Sequence, residues 1–237
     1  MTAGDRIRDL GLYDLVEPAY SRYQGRMWRR AGCPTPAPSA VKRQVLRSVA
    51  REYGLRALIE TGTYKADTVR ALRKDFDRIV SVELSPELHA RALRRTRHQA
   101  NAELVLGDSA LVLTGIVGTL DRPGLFWLDA HYSGGRTSLG DAISPIEAEI
   151  DAILSAGVGG HIVVIDDARE FHDSERSGYP AAEVIYSAAH QHGYRVSEEH
   201  DAFHLLPGWP YKLLAGTRCT AERRCHDVGR ISRYAGH

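Results

Sequence analysis

Cysteine is scarce in this sequence: Cys33, Cys219 and Cys225 are the only three among 237 residues. An odd and sparse count argues against a disulfide framework and fits a reducing, cytoplasmic setting. Cys219 and Cys225-His226 also lack the paired C-x-x-C spacing of a structural zinc site. Long apolar runs are missing too. The longest, such as Ile162 to Ile165, are strand-sized, so neither a membrane-spanning helix nor a membrane partner is expected. Asp5, Arg6, Arg8 and Asp9 have no apolar core behind them, which is not the pattern of a signal peptide. Net charge is nearly absent: 31 basic against 30 acidic residues leave +1, which removes the general electrostatic case for a nucleic-acid partner. Lysine is rare, with four (Lys42, Lys65, Lys74 and Lys212) among those 31 basic residues. That bias reads as coding composition and not as a binding feature.

What is present is ordinary globular composition, 43% hydrophobic and 26% charged, in a chain long enough for one large domain with a terminal extension. Residues 1–53 read as helical. Leu10 to Met27 mixes Tyr13, Tyr20 and Tyr23 with charges, and Cys33-Pro-Thr-Pro-Ala-Pro38 breaks the pattern. Ser39 is placed to cap a helix through Val41, Val45, Leu46, Val49 and Tyr53, closed by Gly54.

From residue 55 short apolar runs recur: Ala57–Ile59, Ile79–Val82, Leu104–Leu106, Gly124–Leu128 and His161–Ile165. Each ends in an acidic or glycine-bearing turn, at Gly62, Glu83, Asp108, Asp129 and Asp166 in succession. The steps of 21, 25, 21 and 37 residues suit one strand plus one helix, the unit of a parallel α/β sheet covered on both faces. Tyr194 to Leu206 alternates and contains Asp201, which suggests a closing hairpin. The expected organisation is an N-terminal helical extension over 1–39, a doubly wound α/β domain over 40–210 and a tail over 211–237.

Ligands of such sheets bind beyond the carboxyl ends of the strands, where the acids of this chain fall. Glu60-Thr-Gly-Thr-Tyr-Lys-Ala-Asp-Thr68 follows the first strand and opens a helix. Gly62 gives the turn conformational freedom, but Ala66 stands where a G-x-G-x-x-G cradle would carry a further glycine, so a nicotinamide or flavin dinucleotide is poorly supported. Glu83, at the end of the second strand, is positioned to accept hydrogen bonds from both ribose hydroxyls of an adenosine. Gly107-Asp108-Ser109 adds a second acid, suited to the adenine amino group.

Together these residues resemble the class I S-adenosylmethionine-dependent methyltransferases over about 57–167. The resemblance implies a Rossmann-like, mostly parallel seven-stranded sheet with an antiparallel C-terminal hairpin, and S-adenosylmethionine as cofactor. It implies cofactor contacts at Glu60, Thr61, Gly62, Tyr64 and Thr68 in the first turn and at Glu83 and Leu84 after the second strand. Gly107, Asp108 and Ser109 follow after the third, and Asp129 after the fourth.

Phe126-Trp-Leu-Asp-Ala-His-Tyr-Ser-Gly-Gly135 closes the fourth strand and Ile165-Asp-Asp-Ala168 the fifth. Neighbouring parallel strands lie about 4.8 Å apart, so Asp129, Asp166 and Asp167 can converge. Three adjacent carboxylates repel unless one is protonated or a cation lies between them, and oxygen-only donors favour Mg²⁺, with Mn²⁺ or Ca²⁺ as substitutes. The alternative is that Asp166 and Asp167 cap the next helix. The arrangement resembles the divalent-metal O-methyltransferases of the catechol type and, more closely, the macrocin-type sugar enzymes.

That resemblance implies a methyl group passed to a hydroxyl of a small acceptor, first of all a sugar or glycoside, with a phenolic acceptor as the variant. A base must take the hydroxyl proton: His131 is preferred for its ordinary pKa near 6.5, with Tyr132 and Asp129 as the other candidates. The loop from Ser133 through Gly140 is a candidate lid, and aromatics in the first 30 residues are candidates for a pocket wall or a homodimer seam. Two other classes compete. A nicotinamide dehydrogenase explains Glu83 but not Asp108 or the Asp166-Asp167 pair, and a non-catalytic adenosine-binding module has no need of the three aspartates.

Overall fold

Two helices precede the sheet in the computed structural model, which describes residues 13–129 and 145–208. The first, α1 (Tyr13–Arg30), turns Glu17, Ser21 and Trp28 inward. It leaves Val16, Tyr20, Tyr23 and Met27 at 51%, 55%, 60% and 44% exposure. Its inward face is held by polar bonds: Ser21 Oγ donates to Glu17 Oε1 at 2.5 Å and Arg43 Nη2 donates to the same oxygen at 3.1 Å. The second, α2 (Ser39–Tyr53), buries Ala40, Val41, Val45, Leu46 and Ala50 along one stripe. Ser39 is the first helical residue and not the cap. Extended Pro38 takes the cap position with no side-chain bond, while Gly54 closes the helix at φ +66 and donates its N–H to Ala50 O.

The remaining elements alternate: β1 (Ala57–Thr61), α3 (Asp67–Leu72), β2 (Arg78–Glu83), α4 (Pro86–Thr96), β3 (Ala102–Leu106) and α5 (Ser109–Val117). Then come β4 (Leu125–Leu128), α6 (Pro145–Leu154), β5 (Ile162–Asp166), α7 (Ala168–His172), α8 (Ser174–Ser177), α9 (Ala182–Gln191), β6 (Tyr194–Glu199) and β7 (Ala202–Pro207). They form one seven-stranded sheet in the order β3-β2-β1-β4-β5-β7-β6. Only β7 runs antiparallel, to both β5 and β6, so the closing hairpin expected at Tyr194–Leu206 is present.

The apolar runs of β1, β4 and β5 are buried end to end, as strands covered on both faces require, whereas β3 at the sheet's edge is only partly buried. Alternation sorts their side chains between two cores. Ile59, Phe126, Leu128, Val163, Ile165 and Phe203 face one. Leu58, Ile79, Trp127 and Val164 face the other, where Leu46 and Ala50 bring α2 onto the sheet.

Phe203 is fully buried on β7 and meets Phe171 of α7 edge to face at 5.5 Å. Replacing it with alanine removes the wedge that seats α7 against the antiparallel edge. Phe203→Ala is expected to lower stability by about 3–5 kcal/mol, read as a shift in the urea unfolding midpoint.

Candidate functional site

Strand register sets which residues meet beyond the sheet. Thr61 pairs with Leu128, and Leu128 with Ile165, so Gly62, Asp129 and Asp166 continue one row across three neighbouring strands. On the other side Thr61 pairs with Val82, which brings Glu83 beside Gly62. Glu83 pairs with Leu106, so Gly107 and Asp108 follow one row later. The acids named from sequence thus come to one edge of the sheet because equal strand ends leave them there.

The first turn needs its glycine. Gly62 has φ +88, and a Cβ there would lie 3.3 Å from the Asp129 carbonyl oxygen. Tyr64 and Ala66 also adopt positive φ, at 47° and 57°. For Ala66 the extra glycine considered from sequence would relieve backbone strain, not merely packing. Glu83, buried at the neighbouring strand end, holds this turn: its Oε2 accepts the Tyr64 N–H at 2.8 Å and its Oε1 the Ser85 N–H at 2.9 Å. The Tyr64 ring and Leu84 are exposed above it.

Glu60 lies beneath the turn, almost wholly buried. Ser81 Oγ donates to its Oε2 at 2.5 Å, Thr63 and Ser81 share a bond of 2.7 Å, and Thr68 hydrogen-bonds to the same carboxyl group. Burial pushes the Glu60 pKa up to about 8 against these bonds, and the nearby Asp129 charge adds to the rise, so the carboxyl is neutral at pH 7.

Asp129, Asp166 and Asp167 each offer a carboxylate oxygen, and the three lie within 4.8 Å of one another. Asp166 and Asp167 are buried and Asp129 is partly exposed. The helix-capping alternative fails at Asp167. It occupies the cap position of α7 at φ +59 without a side-chain cap bond. Its carboxylate instead accepts from Arg169 Nη1 at 3.0 Å and Lys42 Nζ at 3.3 Å. Asp201, in the β6–β7 turn, does the capping: its Oδ1 accepts the Arg169 N–H at 3.1 Å and its carbonyl the Ala168 N–H at 2.9 Å. Its other carboxylate oxygen pairs with the Arg169 guanidinium.

Asp166 accepts the Asp167 N–H on Oδ1 at 2.8 Å and Lys42 Nζ on Oδ2 at 2.6 Å. Burial raises its pKa to about 6 although Lys42 opposes the rise. Burial alone would lower the Lys42 pKa, but the charge and hydrogen bond of Asp166, with Asp167 behind them, outweigh it and the net shift is upward. The ammonium therefore stays charged.

Farther along the edge, Asp108 caps α5 by accepting the Ala110 N–H at 3.0 Å. Ser109 beside it hydrogen-bonds to Glu149, a buried acid of α6 whose pKa burial raises to about 7. Leu106 and Leu111 are exposed here, and with Tyr64 and Leu84 they form an apolar rim along the acidic edge. A Cβ on Gly107 would come 2.9 Å from Val112 Cγ1, so any larger residue there would have to displace that side chain.

His131, Tyr132, the Ser133–Gly140 loop, Cys219 and Cys225 lie outside the described residues. Sequence reading did not assign Lys42, Arg43, Arg169, Asp201 or Glu149 to the site, although Asp201 marked the closing hairpin. A signal existed for the first two: Lys42 and Arg43 interrupt the apolar stripe of α2, and Lys42 is one of only four lysines. Glu149 gives no such sign, because its burial arises where α6 packs beside α5.

No protein-family model and no curated protein matches the sequence. Solved structures do match in shape. An O-methyltransferase from Bacillus cereus in complex with SAH superposes with a TM-score of 0.53 at 16% identity, covering 83% of this chain and 94% of that one. A putative caffeoyl-CoA O-methyltransferase from Staphylococcus aureus gives 0.52 at 12%, covering 84% and 99%. The SAH-bound methyltransferase PaMTH1 of Podospora anserina gives 0.51 at 16%, covering 82% and 87%. The chain thus has the Rossmann-like methyltransferase fold that its strand-end residues resemble.

The buried Glu60 carboxyl makes stability depend on pH. Below pH 4.5 it is protonated in folded and unfolded chains alike; between 4.5 and about 8 only the folded chain keeps the proton. Rising pH through that window therefore favours unfolding. Glu60→Gln, neutral throughout, is expected to flatten the fall in melting temperature between pH 5 and pH 8. Identical slopes for the two proteins would place a charged carboxylate at Glu60.

Proposed function

We propose that the protein is an S-adenosylmethionine-dependent O-methyltransferase acting on a hydroxyl of a small acceptor, first of all a sugar or glycoside. The observation that carries this reading is the convergence of Asp129, Asp166 and Asp167 at the strand ends, beside the Gly62 turn, with the Glu83 carboxylate on the next strand over. Neither a dinucleotide dehydrogenase nor a passive adenosine-binding module needs that trio.

The trio fits a divalent cation by its chemistry: three oxygen donors, close together, with positive side chains already drawn to them. When bound, S-adenosylmethionine supplies a methyl group on a sulfonium, and a divalent ion such as Mg²⁺ at the three aspartates supplies positive charge beside the acceptor oxygen.

The residues of the chain position these partners. Gly62 lets the backbone approach the cofactor closely, and Glu60 supports the turn from beneath through Ser81 and Thr63. Thr61, Tyr64 and Thr68 complete the wall on that side. Glu83 takes the ribose hydroxyls, with Leu84 packed against the sugar. Gly107, Asp108 and Ser109 take the adenine, with Glu149 holding Ser109 from behind.

Transfer breaks the carbon–sulfur bond and forms a carbon–oxygen bond in line, so alignment provides much of the rate. The acceptor proton passes to a base, for which His131 is proposed, two residues beyond Asp129, with Tyr132 and Asp129 as the alternatives. The sugar assignment is supported by the likeness of the Asp129 and Asp166-Asp167 pattern to the macrocin-type enzymes.

A second copy of the chain is the proposed partner at α1. Its outward residues are spaced symmetrically: Val16 and Met27, and Tyr20 and Tyr23, fall equally far from one midpoint. A two-fold axis through that midpoint brings each residue of a pair onto its counterpart, as an isologous interface requires. The double variant Tyr20→Glu/Tyr23→Glu is expected to halve the mass measured by light scattering; an unchanged mass would exclude α1 as the dimer seam.

Saturating S-adenosylmethionine, near 100 times its Kd, is expected to raise the melting temperature by roughly 5–10 °C while NAD leaves it unchanged. A labelled-methyl assay against sugars, glycosides and phenols identifies the acceptor. In it, chelator or Asp166→Ala/Asp167→Ala should cut the rate at least about 100-fold. Full turnover in chelator would remove the metal from the reaction, and a shift with NAD alone would remove the methyltransferase reading.

A further inference from the structure

The acidic cluster already holds a cation of the chain's own. Lys42 reaches from α2, and its Nζ lies 2.6 Å from Asp166 Oδ2 and 3.3 Å from Asp167 Oδ1. The side chain is only 14% exposed, so this is an inserted group and not a surface pair. It also lies far from its partners in sequence, 124 residues from Asp166, so packing of α2 on the sheet, not local geometry, delivers it. The other cation, Arg169, approaches Asp167 and is shared with Asp201.

We propose that Lys42 is a resident counter-ion that competes with a divalent cation for the Asp129–Asp166–Asp167 cluster. Metal loading then displaces the Lys42 side chain and releases one tie between the N-terminal helices and the sheet edge. This rests on the metal reading proposed above and adds its regulation by the N-terminal segment.

The physical ground is mutual repulsion. Asp166 Oδ1 already accepts the Asp167 N–H, so Lys42 and a shared cation compete most directly for Oδ2. A divalent ion bonds carboxylate oxygens at about 2.0–2.6 Å. An ammonium contacting the same oxygens would stand within roughly 5 Å of that ion, and like charges at such separation repel in a poorly hydrated site. The two cations therefore disfavour one another at the cluster. Lysine suits the part, because its flexible stem lets the ammonium swing to water while α2 remains seated through Leu46 and Ala50. Without metal, Lys42 keeps the carboxylates from driving one another apart; with metal, that task passes to the ion.

Mn²⁺ binding to the full chain, followed by electron paramagnetic resonance of the free ion and by calorimetry, tests the competition. Lys42→Met and Lys42→Gln are both expected to tighten Mn²⁺ binding at least about tenfold, equivalent to 1.4 kcal/mol. Lys42→Arg, which keeps the charge, should stay near the wild-type affinity. In chelator Lys42→Gln should melt below wild type, and Mn²⁺ should raise its melting temperature by more than it raises the wild type's.

Equal or weaker Mn²⁺ binding in the neutral variants, with binding still abolished by Asp166→Asn, would overturn the competition and leave the metal site standing. An equal gain in Lys42→Arg would also overturn it, since packing and not charge would then be responsible. Failure of wild type and neutral variants alike to bind Mn²⁺ would overturn the metal reading together with the inference.

Discussion

Like charges in a poorly hydrated place repel, and the oxygens of Asp129, Asp166 and Asp167 lie within 4.8 Å of one another. Much of the architecture around them follows from that repulsion. Lys42 and Arg169 are drawn to Asp166 and Asp167 from opposite sides, one from the N-terminal helices and one from the first turn after β5. Arg169 is in turn fixed by Asp201 from the closing hairpin. Segments from three parts of the chain are thereby tied to a single charge problem, and α2 becomes part of the candidate site through Lys42.

Backbone conformation is bent to the same end. Asp167 could have capped α7 with its own side chain, the ordinary use of an aspartate before a helix. It sits instead at φ +59, and the turn between β6 and β7 supplies the cap. His200 and Asp201 in that turn also adopt positive φ, at 54° and 66°. Non-glycine residues held so are costly, and they persist where surrounding structure over-determines them. Here that structure is the hydrogen-bonded anchor between the hairpin and the start of α7, which frees one carboxylate to face the cluster.

Burial governs two further acids of the edge. Glu60 and Glu149 lie under the two ends of the edge, and burial raises both pKa values, to about 8 and about 7. Each is hydrogen-bonded to a serine that supports a turn: Ser81 with Thr63 in one case, Ser109 in the other. The outer acids Glu83 and Asp108 follow a different rule, accepting backbone N–H groups at strand ends. The edge therefore carries acids in three settings, cation-paired, raised in pKa by burial and bonded to backbone. A cationic sulfonium and a divalent ion, the partners proposed for it, are the kinds of charge that such an edge attracts.

The residues of the first turn, the strand-end acids and the Asp166-Asp167 pair were legible in the sequence because they follow a local rule. An apolar run that must be buried ends where a polar residue appears, and a parallel sheet lays such ends side by side. The common row of Gly62, Asp129 and Asp166 agrees with that rule. The cap of α2 was misplaced by one residue, since Pro38 already supplies the extended geometry that Ser39 was expected to supply. Composition also determined that nearly equal numbers of acids and bases had to be distributed over one surface. It did not determine which bases meet which acids. Lys42 reaches Asp166 across 124 residues and Asp201 reaches Arg169 across 32, and no periodicity carries information over such separations. Nor does sequence say which glutamates are neutral, because a carboxyl group loses its charge through burial, and burial exists only once helices and sheet have packed.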